Sequence, residues 1–265
     1  WAMFTNASAN AWKNSIQYLN DAVYYYSLWN GEYPYNHCTA VDGSISAGGG
    51  MEYPNITVIG STNDPFMLDV VITHEVGHNW FYGILGSNER DHAWMDEGIN
   101  SFNEMRYIMT KYPDKSLSSI VGDRIEKLAK KFDLSHYKQR YQYYLLYLIS
   151  ACKNEDQAME TLSKDFTELN YGAIVYSKTA AEFNYLKNYL GQEVFDKCMH
   201  QYFDLWKFKH PQPADIREVF EKTSGKNLSW FFNDIVNTNK KIDYKIVRAK
   251  QTTEGYEVWL KNKGT

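Results

Sequence analysis

Thr73-His74-Glu75-Val76-Gly77-His78-Asn79-Trp80, followed by Trp94-Met95-Asp96-Glu97-Gly98, is the stretch that decides how this chain reads. It holds an H-E-x-x-H motif, with eighteen residues between His78 and a further acid, Glu97. Residues four apart share one face of a helix, so His74 and His78 can aim two imidazoles at one metal ion. A third ligand has to come from elsewhere. Glu97 can supply it, from a helical pattern running roughly from Ala93 to Thr110. Two His and one carboxylate with a fourth position open make a catalytic zinc site rather than a structural one, so one Zn2+ ion is the expected cofactor. Glu75 is offset around the helix from both His. It can reach a water at the metal without ligating the metal, which is where a general base belongs.

The flanks agree with that reading. Val70-Val71-Ile72 is apolar, as suits a buried helix that carries the motif into a cleft. Asn63-Asp64-Pro65 reads as a helix start, a capping residue followed by Pro at the first helical position. The plain alternative is a helical His pair serving as a hydrogen-bonded core feature. The helix start and the spaced Glu97 together favour the metal. Glu104 lies seven residues after Glu97 and shares its helix face, so it either orients a ligating His or is an ordinary exposed acid. Asp96 and His92 are near in sequence and receive no role.

Composition bounds the rest. The 265 residues can bury a sizeable core, and 44% hydrophobic with 23% charged residues is the balance of a globular protein. The 22 tyrosines read as packing rather than as a site. A net charge of -4 leaves no basic footprint for nucleic acid. Lys127-Leu128-Ala129-Lys130-Lys131 reads as a solvated helix face. Cys38, Cys152 and Cys198 lie far apart, without C-x-x-C spacing, and their odd number leaves at least one free thiol. No apolar run is long enough to span a membrane. The chain begins at Trp1, without an initiator Met, and reads as cut from a longer protein whose targeting segment lies elsewhere. The compartment is not legible.

Along the chain, Ser8 to Trp29 reads as an amphipathic helix with Trp12, Ile16, Leu19 and Val23 on its apolar face. Short β-like runs follow at Cys38–Val41 and Ile56–Ile59, broken by Gly48-Gly49-Gly50, where backbone could approach a ligand closely. After the Glu97 helix, helical patterning is expected from Ser116 to about Cys152, with a Tyr-rich stretch at Tyr141, Tyr143, Tyr144 and Tyr147. It is expected again from Tyr176 to Trp206, with Leu186, Tyr189 and Leu190 on an apolar face before Gly191, from Ala214 to Thr223, and from Ser229. The tail alternates at Ile242, Tyr244 and Ile246 and again at Tyr256, Val258 and Leu260, around Thr252-Thr253-Glu254-Gly255, which is a hairpin signature. A lone hairpin is marginal in water, so it reads as part of a larger β domain.

Several of these motifs together resemble the gluzincin aminopeptidases, the family of aminopeptidase N and the leukotriene hydrolase-type enzymes. The zinc motif, its eighteen-residue gap and Trp94-Met95-Asp96-Glu97-Gly98 carry the likeness first. Upstream, Gly49-Gly50-Met51-Glu52-Tyr53 resembles the family's Gly-x-Met-Glu-Asn exopeptidase motif, with Tyr53 in place of Asn. Downstream, Val175-Tyr176-Ser177-Lys178 resembles the segment that carries the family's catalytic tyrosine. The matches keep the family's order over about residues 45 to 195.

The resemblance implies a mainly α fold with a small β part (α+β), a thermolysin-like gluzincin catalytic domain over 1–238. Residues 239–265 would be a β-hairpin opening a β-sandwich domain that the chain does not complete. It implies Tyr176 as the oxyanion donor beside the base Glu75. It also implies that Glu52, with Gly49, Gly50 and Met51, binds the substrate, so that the partners are peptides with a free amino terminus. Two rivals stay open. One is an endopeptidase on the same scaffold, with Glu52 merely structural. The other is a silent peptide-binding module, against which the intact Glu75, His74, His78 and Glu97 argue.

Overall fold

The computed structural model describes residues 1–45, 49–119 and 133–264. The fold is mainly helical with two small sheets, the α+β class expected. The basic run Lys127–Lys131 and Gly48 lie outside the described residues.

Four short strands form the first sheet: β1 (Ala2–Met3), β2 (Thr39–Asp42), β3 (Gly50–Met51) and β4 (Ile56–Ile59), in the order β1-β2-β4-β3. β1, β2 and β4 run parallel, while β3 is antiparallel to β4 and forms one edge. Helix α1 (Ser15–Asn30) and helix α2 (Pro65–Gly77) pack together beside this sheet. The chain then enters a π-helical turn, Trp94–Gly98, that runs directly into α3 (Ile99–Lys111). Helix α4 spans Tyr141–Ala151. A second π-helical stretch, Tyr171–Lys178, leads into α5 (Thr179–Leu190); α6 (Gln192–Trp206) and α7 (Pro213–Ser224) follow, and a third π-helical stretch, Trp230–Val236, closes the helical body.

The start of α2 follows from its sequence. The Asp64 carboxylate accepts from the Phe66 backbone N–H at 2.9 Å, and Pro65 takes the first helical position, where no N–H is needed. The helix is buried on nearly every side, with Phe66, Leu68, Val70, Ile72 and Val76 in the interior. Such a helix can carry charge only if the charge is paired. Asp69, fully buried, receives the hydroxyls of Tyr107 and Tyr112 and the Lys111 ammonium, each within 2.8 Å. Gly98 brings the Glu97 turn and the Tyr176 segment together: a Cβ there would sit 2.5 Å from Thr179 Cγ2 and 2.6 Å from the Val175 carbonyl. Only a residue without a side chain allows that approach.

Three expectations need correction. The N-terminal helix is two pieces, Ala9–Trp12 and Ser15–Asn30, so Trp12 and Ile16 do not share a face. α1 buries Tyr18, Leu19, Ala22, Tyr26 and Trp29 instead, and Ile16 is exposed. Of the helix expected from Ser116 to about Cys152, residues 120–132 lie outside the described residues; the described flanks hold short 3-10 turns, Leu117–Ser119 and Leu134–His136, and the described α-helix begins at Tyr141. Before it, the Leu117 N–H donates to the Tyr137 carbonyl and the Gln139 N–H to the Lys115 carbonyl, which pairs the two flanks as a bridge. Tyr189, placed on the apolar face of α5, is exposed, while Leu186 and Leu190 are buried.

The tail is a hairpin, β5 (Tyr244–Thr252) paired antiparallel with β6 (Gly255–Asn262). Every residue in both strands is exposed, Trp259 and Leu260 included. All three cysteines are free. Among the described residues no helix is long and apolar enough to cross a membrane.

Candidate metal centre

His74 and His78 leave α2 one turn apart and meet Glu97 from the π-helical turn. The two Nε2 atoms lie 3.3 Å apart, and Glu97 Oε2 stands 3.2 Å from His74 Nε2 and 3.3 Å from His78 Nε2. Three donors held about 2.0–2.1 Å from a tetrahedral ion lie roughly 3.3 Å from one another. The triangle therefore has the size of a zinc ligand set.

The far nitrogens explain why the near ones converge. His78 Nδ1 faces Asp96 Oδ1 at 2.7 Å and the Phe81 carbonyl at 3.2 Å. His74 Nδ1 faces Glu104 Oε2 at 2.8 Å. Each Nδ1 has only acceptors before it, so it carries the proton, and on a neutral ring Nε2 then presents a lone pair. Two lone pairs and a carboxylate oxygen pointing at one spot require protons or a cation between them. The titration tendencies express the same demand. Burial works against a charged His74, but its bonds to Glu104 and Glu97 outweigh that and raise the ring to about 10. Burial likewise opposes charge on His78, and Asp96 and Glu97 raise it well above its ordinary range. For Glu97, burial would raise the carboxyl, but His78 and His74 hold it well below the usual carboxylate range. A metal satisfies this site by displacing those protons.

The other singled-out residues line the same cleft, a space of about 480 Å³ bounded by Gly49, Gly50, Met51, Glu52, Glu75, Glu97 and Tyr176 together with both His. Glu75 is buried and lies against the sheet edge: a Cβ on Gly50 would come within 2.3 Å of Glu75 Cγ and Oε1. Gly50 therefore leaves room for this carboxyl. Burial pushes Glu75 up, His74 and His78 pull it down, and it settles at about 7. The Tyr176 ring stacks on the His74 ring with centroids 6.1 Å apart and 23° between planes. Burial and the neighbouring Glu97 push its phenol up, so it stays a hydrogen-bond donor. Tyr53 is exposed and does not line the cleft.

Sequence reasoning gave Asp96 no role, yet it holds His78. Its signal was its place beside Glu97, on a turn already assigned to the metal. Glu104 resolves to the orienting alternative. Tyr143, read only as one of a run of tyrosines, donates to Glu104 Oε1. Asn100 donates to the His74 carbonyl at 2.8 Å and accepts from the Tyr26 hydroxyl at 2.8 Å, tying α1, α2 and α3 together beneath the site.

An H-E-x-x-H helix, a carboxylate brought back from the next helix and an edge strand across the cleft define a gluzincin-type metallopeptidase domain. Comparison with known proteins narrows this further. The sequence matches the peptidase family M1 domain over residues 11–235. Leucine aminopeptidase 2 of Sclerotinia sclerotiorum is 28% identical over 217 residues, 75% of this chain and 33% of that protein. A leukotriene A-4 hydrolase homologue of Botryotinia fuckeliana is 24% identical over 216 residues, 75% of this chain and 31% of that protein. The crystal structure of a mutant M1 zinc metallopeptidase from Deinococcus radiodurans matches with a TM-score of 0.62 at 13% identity, covering 84% of this chain and 44% of that one. The chain belongs to peptidase family M1, and zinc is its cofactor. It spans about a third of the length of these curated relatives.

Proposed function

We propose that this chain carries the catalytic site of a zinc aminopeptidase, which hydrolyses the first peptide bond of peptides with a free amino terminus. One observation carries the reading: Glu52, Glu75, the His74–His78–Glu97 set and Tyr176 line a single cleft. In this reading His74, His78 and Glu97 hold one zinc ion. When bound, zinc supplies Lewis acidity, polarising the scissile carbonyl and making a water acidic.

The chain's own residues do the rest. Glu75 takes the proton from the attacking water and passes it to the leaving amine. It is suited to both steps because its burial raises its affinity for a proton while the two His limit that rise. The Tyr176 hydroxyl donates to the carbonyl oxygen as negative charge develops there. The Glu52 carboxylate pairs with the substrate's α-ammonium, which sets the first peptide bond beside Glu75. Met51 and the backbone of Gly49 and Gly50 form the adjoining edge, where an extended peptide could lie along β3. The hairpin over 239–265 is, in this proposal, the opening of a further β domain, since its strands bury nothing of their own.

The test is turnover of a panel of aminoacyl fluorogenic substrates and their acetylated counterparts by the zinc-loaded protein, with Glu75→Gln as control. Cleavage of free-amino substrates alone supports the aminopeptidase reading. Equal cleavage of both sets at the same bond supports an endopeptidase on this scaffold. Zinc binding without turnover supports a silent peptide-binding module.

A further inference from the structure

The two metal-facing histidines are held in different ways. His78 and its partner Asp96 are almost wholly buried, with side chains 1% and 3% exposed, and the Phe81 carbonyl three residues on adds a second acceptor. His74 and Glu104 are 14% and 13% exposed, and Glu104 is the acceptor that Nδ1 meets. The aim of His74 therefore depends on where Glu104 is held. Its second oxygen, Oε1, accepts from the Tyr143 hydroxyl. Tyr143 comes from α4, a different helix, thirty-nine residues further along the chain.

We propose that Tyr143 is a positioning residue for the metal ligand His74, acting through Glu104. The inference rests on the reading of His74, His78 and Glu97 as the zinc ligands. The physical argument is one of freedom. A Glu side chain has three rotatable bonds, and one carboxylate oxygen tied to a histidine does not fix them all. A second bond at the other oxygen does. With Oε1 held, Oε2 stays in front of His74 Nδ1, and His74 Nε2 keeps its lone pair toward Glu97 and the metal. The same bond keeps Glu104 from turning inward as a competing carboxylate. α4 packs on the Tyr171–Lys178 segment with one face and leaves the other open: Tyr143, Ser150 and Ala151 are its buried residues, while Leu145, Leu146, Leu148 and Ile149 are 44–47% exposed. The tyrosine hydroxyl thus ties the position of α4 to one metal ligand and leaves the other untouched.

A purely structural tyrosine would anchor α4 through its ring, and Tyr143→Phe keeps the ring. The experiment compares the parent, Tyr143→Phe, Glu104→Gln and the double variant. Zinc affinity is read by competition with a chromophoric chelator, and the imidazole nitrogens by NMR of the zinc-loaded proteins. Tyr143→Phe should weaken zinc binding about tenfold, within the span typical of outer-shell changes at zinc sites. Glu104→Gln should weaken it at least as much, and the double variant no further than Glu104→Gln alone. The His74 Nδ1–H signal should move or broaden while that of His78 stays.

Zinc affinity within twofold of the parent in Tyr143→Phe, additive losses in the double variant, or equal disturbance of both His signals would each overturn the relay. Should Tyr143→Phe not fold, Glu104→Gln alone decides, since unchanged affinity and an unchanged His74 signal there leave nothing for Tyr143 to act through. A parent protein that takes up no zinc would instead remove the metal-centre reading on which the relay rests.

Discussion

His78 and Glu52 face the same cleft from elements built on different terms. His78 sits on a helix buried on almost every side, and two acceptors hold its outer nitrogen. Glu52 follows a two-residue edge strand, is partly exposed, and among the described residues has no side-chain hydrogen bond that fixes its carboxylate. The contrast extends to their neighbours. Around the proposed metal site, Asp96 meets His78, Glu104 and Asn100 meet His74, and Tyr143 donates to Glu104. Along β3, only the backbone is fixed, by pairing of Gly50 and Met51 with β4. The difference teaches where order is needed before the substrate arrives. Donors and ligands at the reacting atoms act best when already in place. A group that binds a flexible peptide end can take its final position from the ligand itself. Substitutions on the metal side should therefore cost more than those on the substrate side.

Glu75→Gln tests the metal side most severely. It removes the proton acceptor and keeps the shape that Gly50 leaves room for. Turnover should fall by roughly 1,000-fold, within the range for a positioned general base. Zinc content, measured by atomic emission on the same sample, should not change. Activity within a few-fold of the parent would show that the proton goes elsewhere. Stripping zinc with a chelator should likewise abolish turnover, and stoichiometric zinc should restore it.

The unequal bracing also explains what the sequence could reveal. His74, Glu75 and His78 were legible because one helix fixes their geometry by spacing alone. Glu97 was legible from its distance along the chain and the helical pattern around it. The partners were less so. Asp96 and Tyr143 gain their roles from tertiary approach: the π-helical turn aims Asp96 at His78, and α4 carries Tyr143 to Glu104. A five-residue π turn leaves no trace in hydrophobic periodicity, because the shift it makes is smaller than the window that reveals a helix. The same limit produced the error at Ile16, where a break of two residues was invisible in a pattern that continued across it.

Tyr176→Phe falls between the two sides of the cleft. The ring stacks on His74 and belongs to a π-helical segment, while in the proposed reaction its hydroxyl serves the substrate oxygen. The change should lower kcat by roughly 100-fold, as the loss of one oxyanion donor does. KM and zinc affinity should stay near the parent values, because the stacked ring remains. A larger effect on zinc affinity than on kcat would move Tyr176 to the metal side and blur the comparison.

The smallest effect is expected at Glu52, and it bears most on what the enzyme would cut. If Glu52 pairs with the α-ammonium, acetylating the substrate removes a charge-assisted hydrogen bond and leaves the carboxylate facing a neutral amide. Such bonds contribute about 1.5–3 kcal/mol, so the parent should prefer free over acetylated peptides by at least tenfold in kcat/KM. Glu52→Ala should lose that preference along with most activity on free-amino substrates, while binding zinc like the parent. Glu52→Gln keeps the shape without the charge and should behave like Glu52→Ala in discrimination. Glu52 also bears on the metal side, because its charge helps raise Glu75. For that reason the decisive quantity is the ratio of the two substrates within each variant, in which any change at Glu75 cancels. A ratio that stays above tenfold in Glu52→Ala would mean that another group reads the amino terminus. The substrate side would then be braced by residues other than those on β3.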